Sequence, residues 1–265
     1  MSEIIGLIPA AGRALRIAPL PCSKEIFPVG IDESDAIKGP RPKAAAQYLL
    51  EQMRNAGAQK AYIILRSGKW DIPKYFEDGS RLNLDIAYLI MRRPYGVPYT
   101  LDQAYPFVKD ATILFGFPDI IMFPNEVFTS MLNKRKQGGC DIVVALFSAT
   151  QPKKMDMVEL DADNNIKSIH IKPPQTTLDL TWIAAAWTPV FTEFMHALIS
   201  DRLNEQDISK ELYIGDVIQA ALGSNIKVSS VHIKEGRYLD IGTPEDLLQS
   251  TGFVQSLEAH EKPLK

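Results

Sequence analysis

Hydrophobic and polar positions alternate along the chain as short apolar runs separated by amphipathic stretches. Residues 4–9, 61–65, 84–91, 112–115 and 141–147 are rich in β-branched and aromatic side chains and too short for stable helices, so they read as buried strands. Between them, residues 43–56 place apolar side chains at helical spacing, with Pro42 suited to the first turn and Gly57 to the end. Residues 71–76 form a short helix closed by Asp78-Gly79, and residues 99–108 fit another. Asn125 is placed to cap a helix running to about Gln137, before Gly138-Gly139.

Strand and helix in this rhythm predict an α/β fold: a mostly parallel sheet with helices on both faces. In such sheets ligands sit outside the carboxyl ends of the strands, so the loops after Pro9, Met91 and Phe115 form the expected rim of the site. The second half changes character. Residues 157–160 and 166–171 predict a hairpin around residues 161–165, followed by a strand at 182–187 and helices at 191–203 and 212–222. Strands follow at 227–233 and 237–240, and then Thr243 is placed as an N-cap with Pro244 at the first helical position and Asp246 near the third. No Pro/Gly/Ser linker interrupts the pattern, so residues 1–265 read as one domain with halves 1–150 and 151–265, the second β-rich.

Composition adds only exclusions. The chain has 265 residues, 46% apolar and 23% charged, as expected of a globular domain with its own core. Its longest apolar runs fall short of a membrane span, and the acidic start Met1-Ser2-Glu3 does not read as a secretory signal. Two cysteines are too few for a disulfide scaffold, and with no export signal they predict reduced thiols and a cytoplasmic setting. A net charge of −3 argues against a nucleic-acid polymer as partner, and the four histidines show no metal-ligand spacing.

The most informative segment is the loop after the first strand. Ala10, Ala11, Gly12 and Arg13 are followed by Ala14, Leu15 and Arg16, and then by Ser23-Lys24-Glu25-Ile26-Phe27-Pro28. Small residues let backbone N–H groups approach an anion, and Arg16 and Lys24 supply a bidentate fork and a point charge. The pattern suits a triphosphate cradle, and it equally suits a turn with two solvated cations. Asp119 and Asp240 each follow an apolar run and suit either a Mg²⁺ site or a turn and cap. Lys172 precedes Pro173, which predicts an extended backbone that aims the side chain.

The segment resembles the signature of the sugar-phosphate nucleotidyltransferases, Gly-Gly-x-Gly-Thr-Arg-Leu followed by Pro/Ser-Lys-x-Leu-x-Pro. The glucose-1-phosphate thymidylyltransferases are the most alike. Four further stretches follow in the family's order: 93–98 (Arg-Pro-Tyr-Gly-Val-Pro), 115–119 (Phe-Gly-Phe-Pro-Asp), 171–173 (Ile-Lys-Pro) and 238–244 (Tyr-Leu-Asp-Ile-Gly-Thr-Pro). The resemblance implies a nucleotide-diphospho-sugar transferase-like, Rossmann-like fold, with a nucleotide-binding first half and a sugar-phosphate-binding second half. It implies transfer of a nucleotidyl group, from dTTP or UTP, to a sugar-1-phosphate. Arg16, Lys24 and Lys172 would be the catalytic cations, and Ala10, Ala11, Gly12, Arg13 and Gly96 would hold the nucleotide. Asp119 and Asp240 would bind Mg²⁺. Family members are often homo-oligomers. Departures are concentrated in the site. Ala14 stands at the second glycine, Leu15 at the threonine, and Met91 at the glutamine that reads a pyrimidine. Asp156 takes the place of a glycine in the sugar lobe, Asp119 falls about two residues late, and the loop is about two residues short. These departures keep a non-catalytic binding homologue as the alternative. A glycosyltransferase with an Asp-x-Asp metal motif ranks last, because Asp161-Ala162-Asp163 falls in the predicted hairpin turn.

Overall fold

A computed structural model describes residues 2–33, 39–205 and 210–261. The first half runs β1 (Ile4–Ala10), β2 (Pro28–Asp32), β3 (Arg41–Ala44), α1 (Ala45–Asn55), β4 (Lys60–Leu65), α2 (Asp71–Phe76) and β5 (Asp85–Ile90). It continues with α3 (Val97–Asp102), α4 (Tyr105–Val108), β6 (Thr112–Gly116), β7 (Ile120–Phe123), α5 (Val127–Gly138) and β8 (Ile142–Ser148). The second half adds β9 (Met157–Leu160), β10 (Ile166–His170), β11 (Leu180–Trp187), α6 (Pro189–Asn204), α7 (Ile214–Leu222), β12 (Val228–His232), β13 (Arg237–Asp240) and α8 (Pro244–Glu261).

β1 is central, parallel to β4 on one side and β6 on the other, and β5 extends the sheet parallel to β4. β11 enters antiparallel beside β6 and pairs along its other edge with β8, which carries β12 in parallel. The β9–β10 hairpin attaches at the start of β11, through Thr181 opposite Met157. One nine-stranded mixed sheet, mostly parallel, therefore runs through both halves of the chain among the described residues.

Side chains alternate across β1 as a strand buried on both faces requires. Ile8 and Ala10 pack with Leu49 and Leu50 of α1, Phe76 of α2 and Phe128 of α5. Ile5 and Leu7 pack on the other face with Tyr99 of α3, Phe191 of α6 and Val217 of α7. A third, smaller core joins Ile17 of the loop after β1 to Val29, Ile121, Ile241 and Val254 of α8. That cluster anchors the loop to the β7–β13 ladder.

Several elements differ from the sequence pattern. The helix expected from residue 43 begins at Ala45, because Arg41–Ala44 pairs antiparallel with β2. Pro42 therefore lies in a two-stranded ribbon, where a missing N–H is tolerated, and not in a helical turn. The helix expected over 99–108 is two short ones, since Pro106 lacks the N–H that a helix begun at Val97 would need. The N-cap position of α5 falls at Glu126, with no side-chain capping bond, and not at Asn125, whose Oδ1 accepts from Gln52 Nε2 at 3.5 Å. Thr243 and Asp246 form the expected reciprocal cap of α8, Thr243 N–H donating to Asp246 Oδ2 at 3.0 Å and Asp246 N–H to Thr243 Oγ1 at 3.3 Å.

Candidate active site

The two aspartates that the sequence separates by over a hundred residues are joined by backbone register. β13 pairs antiparallel with β7 so that Asp240 lies opposite Ile120, and Ile241 N–H donates to the Asp119 carbonyl at 2.9 Å. Asp119 is thus held one residue before β7 and Asp240 at the end of β13, both on the wall of one cavity. Burial pushes the Asp240 carboxyl up to about 6, the Asp119 charge adds to this, and Lys24 and Arg16 oppose it. Lys24 Nζ is ion-paired with Asp119 Oδ2. Burial works against the Lys24 charge, but Asp119 outweighs it and holds the ammonium above its ordinary pKa. Arg16 lies over Gly242, where an added Cβ would come within 3.2 Å of its Nη2 and 3.3 Å of Asp240 Oδ1.

The loop after β1 keeps a glycine-like shape with an alanine in it. Ala14 has φ 53°, in the left-handed region, and its carbonyl accepts from Ile17 and Ala18 N–H at 3.2 and 3.0 Å. Ala14 thus holds a backbone conformation that glycine adopts freely. It stays in the left-handed conformation and carries the strain.

Lys24 is clamped on either side by the loop after β4. Ser23 donates to Asp71 through both its N–H, at 2.6 Å, and its Oγ, at 2.8 Å. Glu25 Oε1 meets Lys69 Nζ at 2.5 Å, with side chains only 3% and 5% exposed. Burial raises the Glu25 pKa and Lys69 opposes the rise, while Glu25 Oε2 is buried with no hydrogen-bond partner. No sequence spacing pairs residues 25 and 69; only the β4–α2 connection brings them together.

The cleft has two lobes. The first, about 870 Å³, is formed by the strand-end loops, with Ala11, Gly12, Arg13, Lys24, Arg66, Met91 and Gly96 among its walls. Ala10 is buried in β1, 1% exposed, and lines neither lobe. The second, about 680 Å³, is lined by Arg16, Asp156, Lys172, Trp182, Tyr213 and Asp240, among others. Val97, Phe117, Asp119 and Glu211 line both, so Asp119 sits where the lobes meet, while Asp240 lines the second. The rim expected after Pro9, Met91 and Phe115 is where the first lobe opens. Arg66, Glu211 and Tyr213 carried no motif and are seen only in the folded chain.

A main-chain bridge ties the lobes together. Gly96, at φ 128°, forms a single parallel bridge with Leu212, whose N–H donates to the Tyr95 carbonyl at 3.0 Å. A Cβ on Gly96 would run into the Leu212 carbonyl. Met91 Sδ, at the place where a glutamine was expected by resemblance, accepts from Thr100 Oγ1 at 3.4 Å.

Lys172 departs from the extended conformation expected before a proline. Its φ is 40°, and its Nζ stacks 4.0 Å above the Tyr213 ring. A strained backbone held by its surroundings aims the side chain here. Asp161 serves the hairpin turn, its Oδ1 accepting from Asp163 and Asn165 N–H at 2.9 Å each. Among the described residues, no three His, Cys, Asp or Glu side chains converge on a metal position, and no helix is long and apolar enough to cross a membrane.

Comparison with known proteins agrees with this architecture. A low-salt glycan biosynthesis nucleotidyltransferase of Haloferax volcanii is 24% identical over 253 residues, covering 94% of this chain and 65% of that protein. A glucose-1-phosphate thymidylyltransferase of Streptomyces antibioticus is 25% identical over 215 residues, covering 76% of this chain and 55% of that protein. The chain thus spans roughly three fifths of the length of these two relatives. A Neisseria gonorrhoeae glucose-1-phosphate thymidylyltransferase is 23% identical, with 96% of this chain and 83% of the relative covered. The fold matches a Bacillus anthracis structure described as a glucose-1-phosphate thymidylyltransferase in complex with sucrose, with TM-score 0.81, 16% identity and coverage of 99% and 98%. It also matches a UDP-glucose pyrophosphorylase complexed with UDP-glucose, with TM-score 0.74, 17% identity and coverage of 97% and 99%. Residues 6–256 match the nucleotidyl transferase family model, nearly the whole chain, and the protein belongs to that family.

Proposed function

We propose that the chain joins a nucleoside triphosphate to a sugar-1-phosphate, releasing pyrophosphate and a nucleotide sugar. The observation that carries this reading is the position of Asp119 at the junction of two cavities, with Lys24 on the wall of one and Asp240 and Arg16 on the wall of the other. One lobe takes the triphosphate and the other the sugar phosphate. A phosphate oxygen of the sugar-1-phosphate attacks the α-phosphorus in line, and the bond to the β-phosphate oxygen breaks. The nucleophile is already anionic, so positioning and charge neutralisation do the chemistry. Lys24 holds the triphosphate in the first lobe and offsets charge on the leaving pyrophosphate, and Arg16, on the second lobe's wall near Asp240, offsets charge where the two phosphates meet. Gly12 and Arg13 N–H groups line its cradle, and Lys172 binds the phosphate of the sugar.

The carboxylate pair fits Mg²⁺. Both donors are hard oxygens, Asp240 is destabilised as an anion by burial and by Asp119, and two ligands leave coordination for phosphates and water. Mg²⁺ bound there would polarise the α-phosphate and screen the attacking phosphate. dTTP or UTP is the donor we assign. Cys22 and Cys140 are both free, in keeping with a cytoplasmic setting.

The test is pyrophosphate release from a panel of nucleoside triphosphates crossed with sugar-1-phosphates. Asp119→Asn keeps the shape and loses the charge, so turnover should fall about a hundredfold or more with the fold intact by circular dichroism. Wild-type-like turnover in that variant overturns the metal assignment. No pyrophosphate from any pair overturns transfer in favour of a binding role.

A further inference from the structure

The connection between β8 and β9 is fastened at both ends by one phenol. Tyr238 Oη, on β13, accepts from Thr150 N–H at 3.0 Å and from Thr150 Oγ1 at 3.1 Å, and donates to Met155 Sδ at 2.8 Å. Its ring is buried, edge-on to Phe147 of β8 at 5.7 Å. Burial raises the Tyr238 pKa, with Thr150 opposing, so the O–H keeps its proton at neutral pH. Thr150 and Met155 flank a single helical turn, Pro152–Lys154. Tyr238 lies two residues before Asp240, so the strand that carries that carboxylate also fixes the turn beside it.

The turn presents two lysines. Lys153 and Lys154 both line the second lobe, and neither lines the first. Lys154 also lines a narrow crevice with Arg16 and Asp240, which Lys153 does not reach. The acids of the lobe already have partners. Asp119 is ion-paired with Lys24, Lys172 favours the Asp156 charge, and Lys24 and Arg16 favour the Asp240 charge. Glu211 accepts from the Tyr213 hydroxyl at 3.1 Å. Among the described residues no carboxylate pairs with either ammonium of the turn. Two cations are thus held on the wall of a cavity with nothing in the protein to neutralise them. A phosphate monoester carries nearly two negative charges at neutral pH, and here it must enter beside Asp156 and Asp240.

We propose that Lys154 is a second cation, besides Lys172, on the phosphate of the sugar phosphate, and that Tyr238 is the positioning residue that holds it there. The ammonium meets the attacking phosphate on the Asp240 side and offsets the repulsion between the two anions. Without the phenol the turn keeps its lysines but loses the bonds that fix them, so its ordering falls to the binding step. Lys153, away from Asp240, contributes less. The inference rests on the assignment of the second lobe to the sugar phosphate.

The experiment uses the full chain. Calorimetry measures binding of glucose-1-phosphate and galactose-1-phosphate, and of dTTP and UTP in separate titrations; pyrophosphate release is followed for each pair. Lys154→Gln should weaken sugar-phosphate binding by roughly 10–100-fold and leave triphosphate binding unchanged. Lys153→Gln should lose less. Tyr238→Phe keeps the ring and both lysines, and should weaken the same binding by about 2–10-fold. It should add nothing in a chain that already carries Lys154→Gln, whereas a merely structural role for the phenol would add in full. Thermal unfolding checks the variants; both lysines are exposed, so their replacements decide the question if Tyr238→Phe does not fold. Unchanged sugar-phosphate affinity in Lys154→Gln, with pyrophosphate still released, overturns the inference and leaves transfer standing. An equal or greater loss in Lys153→Gln, weaker binding of the triphosphate alone, additive losses in the double variant, or no binding of either sugar phosphate by the wild type also overturns it. Affinity that depends on Lys154 without pyrophosphate release from any pair supports the inference and overturns nucleotidyl transfer.

Discussion

Replacing Lys69 with Met leaves Glu25 as a buried carboxylate with no cation. The pair is almost wholly out of water, with side chains 3% and 5% exposed, and Glu25 Oε2 has no partner to fall back on. Breaking such a pair from one side costs about 3–5 kcal/mol, because the remaining charge stays desolvated. For a domain of this size each kcal/mol lowers Tm by about 2–4 °C, so Lys69→Met should unfold roughly 6–20 °C below the wild type at pH 7.5. The sign of the pH dependence follows from Glu25. Burial already raises its pKa, and losing Lys69 removes the main opposing influence. Between the unfolded value near 4.5 and the raised native value, the folded chain binds the proton more tightly, so the stability of the variant rises as pH falls through that window. The Tm gap to the wild type should therefore narrow from pH 7.5 to pH 5. Adding Glu25→Gln to Lys69→Met should recover most of the loss at neutral pH, since it removes the orphaned charge. Turnover should fall further than stability explains, because Lys24 lies between Ser23 and Glu25 and loses one of its two clamps. The assays are scanning calorimetry across pH and pyrophosphate release at 25 °C. A loss below about 2 °C, or a gap that does not change with pH, refutes the buried-charge argument.

Three other expectations follow. Ala14→Gly should relieve the left-handed strain at φ 53°; about 1–2 kcal/mol of strain less about 0.4–1 kcal/mol of added unfolded-chain entropy leaves a gain of up to roughly 1.6 kcal/mol, read as a small rise in Tm, with Ala14→Val moving the other way. Because the Asp240 carboxyl is pushed up to about 6, Mg²⁺-dependent turnover should decline as pH falls through 6, and raising the Mg²⁺ concentration should move that decline to lower pH. Stability behaves oppositely at this residue: its proton is held more tightly in the folded chain between 3.8 and about 6, so Asp240 adds stability as pH falls through that range. Met91→Gln, restoring a donor and acceptor in the first lobe, should sharpen discrimination between pyrimidine and purine triphosphates, measured as a ratio of kcat/KM values; an unchanged ratio removes Met91 from base reading.

The central strands of the main sheet were legible because they are continuous apolar runs, and β13 (Arg237–Asp240), outside that sheet, also coincides with its expected limits. The β2–β3 ribbon and β7 were not, because β2 and β3 carry no apolar alternation long enough to register and β7 follows β6 after only three residues. Pro42 misled for the same reason: its chemistry suits a helical first turn and a ribbon edge equally. In the site, Arg16, Lys24, Asp119 and Asp240 were visible as motif residues, but their meeting depends on the register that sets Asp240 against Ile120. Nothing local announces the Lys69–Glu25 pair, the Ser23–Asp71 bonds or the arrival of Glu211 and Tyr213 at the cleft. These are long-range consequences of topology. Lys172 shows the limit of a local rule, since the surrounding structure holds it at φ 40° against the preference set by Pro173.

The bridge between Gly96 and Leu212 is made of main chain alone. Apart from the glycine, no side chain along it carries the connection, so substitutions at Tyr95 or Leu212 leave its bonds available. The two lobes can therefore diverge in what they recognise while the span between their ligands stays fixed. On the proposed function, either lobe can change the group it takes by point mutation without rebuilding the span between them. Gly96 is the position at which that freedom ends.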